Sequence, residues 1–285
     1  MSAQPTPLNA IHLHEPRLNL LRLRQGAEDD QADEPPDILP LRQDPAREWA
    51  MLESLSPFCR FEAEPYSLQW FLSVEHERYG RHGSWLRDLL GFTKHAGETV
   101  LCLGRSLGTD AIQFARHGAQ VILCQPVAAD LALARRNFQQ RRLSAAFIPA
   151  AGERLPLASE SVDVAILTSS LLAELRPAAC VAEVLRVLRP GGKLLAVLPA
   201  ERSALWGWLR RGPELPAPQR AAPRRARQLF DGLLHARVKQ RHLRRRNIIW
   251  PARWLPRSWL ERLVGDFLLF KGFKPIHTAA PRLAA

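Results

Sequence analysis

Between Gly97 and Ala200 the apolar positions fall into two alternating kinds of block. Short unbroken apolar runs, "TVLCLG", "AQVILCQ", "AAFIPA", "VDVAILTSS" and "KLLAVLPA", have the length and density of strands buried on both faces. Between them lie segments whose apolar residues recur every three to four positions, as on one face of a helix. These are "GTDAIQFARHG", closed by Gly118, then "AADLALARRNFQQRR", and "RPAACVAEVLRVLRPGG", which ends in a predicted Pro-Gly-Gly turn. Strands alternating with helices at this spacing predict a parallel sheet covered on both sides, with any ligand at the carboxyl edge of its strands. The predicted strands carry no polar residue of note.

The flanks follow different patterns. Residues 1–45 are rich in Pro, Gln and Asp and include the acidic patch "AEDDQADEPPD", so they predict a disordered tail. Residues 46–95 return to helical spacing, most clearly in "HERYGRHGSWLRDLLGF", and predict helices that cover the sheet domain of residues 96–200. From residue 201 to 285 the chain predicts a helix at "ARQLFDG" and strands at "LLHARVKQRHL" and "DFLLFKGF". Between those strands lies "RRRNIIWPARWLPRSWLERLVG", which holds three of the eight tryptophans.

Charge sharpens this division. Of 40 Lys/Arg and 28 Asp/Glu, 19 and 5 lie from Glu201 onward, so that part carries +14 and the rest −2. A field this polarised favours an anionic partner. No run approaches the roughly 18 to 20 consecutive apolar residues of a membrane span, and the first residues lack the pattern of a secretory signal. The expectation is a soluble cytoplasmic protein, with peripheral membrane contact left open. Cys59, Cys102, Cys124 and Cys180 have no CxxC spacing, so neither a metal site nor a disulfide framework is expected.

The candidate chemistry begins at "VLCLGRSLGTD", a strand running through a glycine turn into a helix. Gly104 and Gly108 are too widely set for GxGxxG, and GK[ST] is absent, so dinucleotide and Walker phosphate loops fit poorly. The strings "GETVLCLGRSLGTDAIQFARHGAQVILCQP", "ERLPLASESVDVAILTSSLLAEL" and "EVLRVLRPGGKLLAVLP" together resemble the class I S-adenosylmethionine-dependent methyltransferases, the type 11-like branch in particular. That resemblance implies a Rossmann-like α/β fold, a seven-stranded and mostly parallel sheet with helices on both faces and an antiparallel last strand.

Carried over residue by residue, the resemblance places the cofactor beside Gly104, Ser106, Gly108, Gln125 and Gly152. It also marks departures. Where the family's first-strand motif resembles DxGxGxG, Cys102 takes the acid's place and Ser106 that of the middle glycine. Gln125 stands where an acid meets both ribose hydroxyls, and Ala151 where an acid faces the adenine. Glu153 is a nearby substitute for the last, though the family carries a separate acid there too. After the fourth strand, "LLAEL" puts Ala173 and Glu174 where relatives have an "LHH"-like string; Glu174 is a candidate base, but a solvated glutamate at a helix start is the favoured reading. No catalytic residue and no metal ligand is assigned.

Two functions of different class follow. One is a degenerate methyltransferase homologue, acting without a cofactor in a structural, regulatory or membrane-docking role. The other is an active enzyme that uses S-adenosylmethionine in an altered site on a small or lipid-like acceptor. For the basic tail, Arg244, Arg245, Arg246, Trp250 and Trp254 suit an anionic membrane surface or an acidic protein partner, and less well nucleic acid. The alternative is that the tryptophans, Trp259 included, pack the insertion onto the sheet domain.

Overall fold

The computed structural model describes residues 45–54, 61–80, 83–167, 176–201, 222–241, 248, 250 and 252–276. Among the described residues, three α-helices precede the sheet: α1 (Pro45–Ser54), α2 (Leu68–Tyr79) and α3 (Trp85–Leu90). Ser67 caps α2, its Oγ accepting the Trp70 N–H at 3.2 Å, which satisfies one of the donors a helix start leaves open. Then come β1 (Thr99–Leu103), α4 (Thr109–Arg116), β2 (Gln120–Gln125), α5 (Ala128–Gln140), β3 (Ala146–Pro149), β4 (Val162–Leu167), α6 (Pro177–Val187) and β5 (Leu188–Pro199). The chain closes with α7 (Pro223–Leu229), β6 (Leu234–Arg241), a 3-10 turn (Ala252–Trp254), α8 (Arg257–Val264) and β7 (Phe267–Phe273).

The seven strands form one sheet in the order β3-β2-β1-β4-β5-β7-β6. Pairing is parallel from β3 to β5, and β7 runs antiparallel to both of its neighbours. This is the Rossmann-like architecture with an antiparallel last strand. The strands' apolar density has a direct cause, because alternate residues feed two separate cores. Leu101 and Leu103 of β1 join one core with Val181 and Val184 of α6, and with Ala226 of α7. Val100 and Cys102 join the other, with Ile112 of α4, Phe138 of α5 and Leu90 of α3. A third cluster, from α1 and α2, closes over Leu107.

One expected boundary is different. "LRPGG" is not a turn ending the helix; α6 stops at Val187 and the chain is extended from Leu188. Val162 pairs with Leu188 and Val164 with Lys193, so β5 carries extra residues against two steps of β4. The bulge is held from the far side, where Gly191 donates to the Lys274 carbonyl and Lys274 donates back to that of Gly192, each at 2.9 Å. The helix ends before Pro190, and a partner strand supplies the hydrogen bonds that make the segment part of the sheet.

Candidate functional site

The carboxyl ends of β1 and β2 lie side by side, with Leu103 in register with Cys124, and the glycine turn leaves from there. Gly104 has φ +105° and Gly108 +76°, conformations that glycine takes without the steric cost of a Cβ. A Cβ on Gly108 would also lie 3.0 Å from the buried Phe138 ring. Ser106 between them does not have positive φ, so the middle glycine is not needed for backbone reasons. Its hydroxyl turns inward and accepts the Gly108 N–H at 3.3 Å.

Gln125 ends β2 and is wholly buried. Its Nε2 donates to the Ser106 carbonyl at 2.8 Å and reaches Ser106 Oγ at 3.4 Å, while its Oε1 has no partner. Gly104, Ser106, Gly108 and Gln125 are therefore one contiguous group. The Ala150 N–H donates to the Gln125 carbonyl at 3.1 Å, so Ala151 and Gly152 follow directly beside this group. Cys102 points into the core between the sheet and α4, and burial, with the Asp110 carboxylate adding to it, pushes its thiol well above the usual range. Ala151 is exposed. At Gly152 a Cβ would meet Cys180 Sγ at 3.0 Å and Leu103 Cδ2 at 3.2 Å, so its missing side chain makes room for α6 and β1. Glu153 is turned toward Arg176, accepting its backbone N–H at 3.1 Å. Ala173, Glu174 and Arg244–Arg246 lie outside the described residues.

Sequence patterns did not single out the groups that grip this turn from outside. Glu53 of α1 accepts the Leu107 N–H at 2.7 Å, and Asn137 of α5 donates to the Leu107 carbonyl at 2.8 Å. Gly104 N–H goes to the Cys124 carbonyl at 3.2 Å. Arg105 crosses from the turn to Asp130 at the start of α5, Nε to Oδ2 at 2.5 Å, with its guanidinium 5.3 Å from the centre of the Trp49 ring. That pairing raises the basicity of Arg105.

Beneath the turn lies a buried ionic cluster. Arg78 donates to both Asp110 oxygens, at 2.7 and 2.5 Å, and the Tyr79 hydroxyl donates to Asp110 Oδ1 at 2.5 Å. Burial alone would lower the basicity of Arg78; the Asp110 carboxylate beside it reverses that and raises it. Glu53 is shifted upward because burial disfavours its charge, a tendency that Arg78 only partly opposes. Tyr79 is also raised, by burial and then by Asp110. The pieces "ERY" and "GTD" hold three of the four residues, but they are separated by thirty positions and no local spacing connects them. Among the described residues no cluster of His, Cys, Asp and Glu is placed to hold a metal ion.

Comparison with known proteins agrees with this fold. Residues 101–196 match a family model described as a methyltransferase domain. The chain is 30% identical over 176 residues to a demethylmenaquinone methyltransferase of Thermobifida fusca (strain YX), an overlap of 59% of this chain and 70% of the relative. It is 38% identical over 125 residues to a demethylmenaquinone methyltransferase of Beutenbergia cavernae, where the match covers 44% of this chain and 48% of the relative. The solved structure of the [4+2]-cyclase SpnF superposes with a TM-score of 0.55 at 18% identity, over 80% of this chain and 92% of that one, a likeness of fold alone.

Proposed function

The chain belongs to the class I S-adenosylmethionine-dependent methyltransferase family, and we propose that it uses the family's fold without the family's chemistry, as a non-catalytic structural or regulatory protein. The observation that carries this reading is that the glycine turn is occupied by the protein's own groups. The Gly104, Leu107 and Gly108 N–H groups go to Cys124, Glu53 and Ser106, and the Ser106 and Leu107 carbonyls to Gln125 and Asn137.

The residues present do not fit S-adenosylmethionine well. A ribose diol is held by two acceptor oxygens on one carboxylate; Gln125 has one acceptor, its NH₂ already being bonded to Ser106. Cys102 is a neutral buried thiol and Ala151 has no polar group. Hydrogen bonds to charged acceptors contribute about 1.5–3 kcal/mol and neutral ones about 0.5–1.5, so the lost acids amount to about 4 kcal/mol, on the order of a thousandfold in affinity.

One observation favours a second reading. Gln125 Oε1 is a buried acceptor without a partner, and a ligand hydroxyl would satisfy it. On that reading the chain is an active methyltransferase with an altered cofactor site, acting on a small or lipid-like acceptor such as the demethylmenaquinone of its relatives' names. Isothermal titration with S-adenosylmethionine and S-adenosylhomocysteine separates the two. Absence of binding up to millimolar cofactor supports the non-catalytic reading; micromolar binding overturns it and directs attention to methyl acceptors.

A further inference from the structure

The surface made by β6, β7, α3 and α8 lies away from the glycine turn and plays no part in the reading above. β6 is the edge strand of the sheet, and Arg237, Lys239 and Arg241 recur along it at every second residue, so all three lie on one face. The register sets Arg237 directly opposite Lys271 of β7 and Lys239 opposite Leu269. Two like charges face to face across a strand pair repel, and an anion between them removes the repulsion. The next strand continues the trend, since Lys193 of β5 is on the same face and is made less basic by burial and then by Lys271.

Arg237, Lys239, Arg241 and Lys271 line a cavity of about 710 Å³ together with Trp85 and Leu89 of α3 and Ser258 and Glu261 of α8. Of its four cations, Arg241 is paired with Glu261 at 2.7 Å, leaving Arg237, Lys239 and Lys271 against Asp88. The groove is thus positive with apolar walls.

The segment that supplies its α8 wall also carries exposed apolar side chains, Trp259 following Ser258 directly in the chain. The inner face of α8 is buried, Leu260 and Val264 packing with Ile248. The same segment nevertheless leaves Trp250, Trp254 and Trp259 exposed to 73%, 81% and 61%, with Leu255 at 40%. The three tryptophans do not pack onto the sheet domain, so the packing alternative for them is set aside. Large apolar groups clustered on one short segment mark an interaction surface. Among the described residues no helix is long and apolar enough to cross a membrane.

From this cationic groove and the exposed apolar side chains of the segment that walls it, we infer that the face docks on an anionic phospholipid bilayer, with Arg237, Lys239 and Lys271 meeting headgroup phosphates and Trp254, Leu255 and Trp259 entering the interfacial layer. Tryptophan is suited to that layer because its ring is apolar and its N–H stays hydrated. The net charge of +14 beyond Glu201 supplies the long-range attraction. A bilayer fits better than nucleic acid because exposed Leu255 and Leu234 add apolar surface that base stacking does not use.

The test is co-sedimentation of the full chain, without cofactor, with vesicles of phosphatidylglycerol and phosphatidylcholine against phosphatidylcholine alone, and with a single-stranded RNA oligomer. Binding to the anionic vesicles is expected, with quenching of tryptophan emission by brominated lipid. The R237S/K239S/K271S triple variant and the W254S/W259S double variant should each lose at least about tenfold in partitioning, by loss of phosphate contacts and of interfacial burial respectively. Circular dichroism confirms that both are folded. No vesicle binding, binding untouched by either variant, or RNA binding stronger than vesicle binding and lost in both, each overturns the inference. Since no cofactor is present, the outcome is independent of the methyltransferase question.

Discussion

Glu53 Oε1 accepts the backbone N–H of Leu107 at 2.7 Å, which latches α1 onto the turn after β1. The bond joins a helix to a loop fifty-four positions away, and it takes the turn's middle donor out of use. Its neighbours make it unusual, since Glu53 is buried above the Arg78–Asp110 pair and holds its proton more tightly than an exposed glutamate.

A pH dependence follows from that shift. The folded chain binds the Glu53 proton more tightly than the unfolded chain, so the related stability is fully present below the ordinary carboxylate pKa and is lost as pH rises through the raised one. Glu53→Gln keeps an acceptor for Leu107 but cannot ionise. Urea unfolding between about pH 4 and pH 8 should therefore show wild type losing stability relative to the variant as pH rises. A difference that stays flat with pH would mean Glu53 has its ordinary proton affinity in the fold.

The buried pair carries a larger prediction. Asp110→Ala leaves the Arg78 guanidinium buried without its carboxylate, and should cost about 3–5 kcal/mol. Tyr79→Phe removes one hydrogen bond to the same carboxylate and should cost about 1–2 kcal/mol. Denaturant midpoints measure both, and a double-mutant cycle should show strong coupling between the two positions. Additive losses would place them in separate networks.

Two glycines of similar backbone conformation should respond differently to alanine. Gly97 has φ +78° with nothing within 4 Å of the new Cβ, so the cost is conformational, about 1–2 kcal/mol. Gly108 has φ +76°, but the Cβ would lie 3.0 Å from the Phe138 ring, which is fully buried and cannot retreat, adding about 1–3 kcal/mol. Thermal melts of the two variants should rank them in that order. Equal losses would show that the α5 side of the turn yields.

Cofactor affinity should respond to restoring the family's groups. Ser106→Gly and Gln125→Asp combined remove the Gln125–Ser106 bond and return the carboxylate at the end of β2, whereas Cys102 faces the core and is left as it is. A gain of at least about tenfold in S-adenosylhomocysteine affinity is expected by titration calorimetry. No gain in a folded variant would mean these positions do not correspond to the family's contacts.

Much of the fold was legible in the linear pattern, for a local reason. A buried parallel strand shows as a continuous apolar run and its covering helix as a 3.6-residue repeat, so β1 to β5 and α4 to α6 stand in the chain order that "TVLCLG" to "KLLAVLPA" predicts. "LRPGG" misled because helix-ending residues do not say what comes next, and the bulge in β5 depends on Lys274, more than eighty positions on. In the site, Gly104, Ser106, Gly108 and Gln125 could be read from the turn and the end of β2. Cys102 and Gly152 could be located, but their orientation could not, because a side chain's surroundings depend on what packs across from it.

The order of strands and helices, the placing of Gly104 and Gly108 in the turn after the first strand and the basic bias of the C-terminal part were all settled by residue identity and spacing, since each reflects forces acting within a few residues or on total charge. Whether the turn's donors face a ligand or the protein was decided only in three dimensions, where Glu53, Gln125 and Asn137 arrive from three separate elements. The same holds for the cationic groove. Arg237 and Lys271 are thirty-four positions apart, and only the antiparallel register of β6 on β7 brings the two charges opposite each other, while Trp259 of α8 stays exposed as Leu260 and Val264 bury the other side of that helix against Ile248.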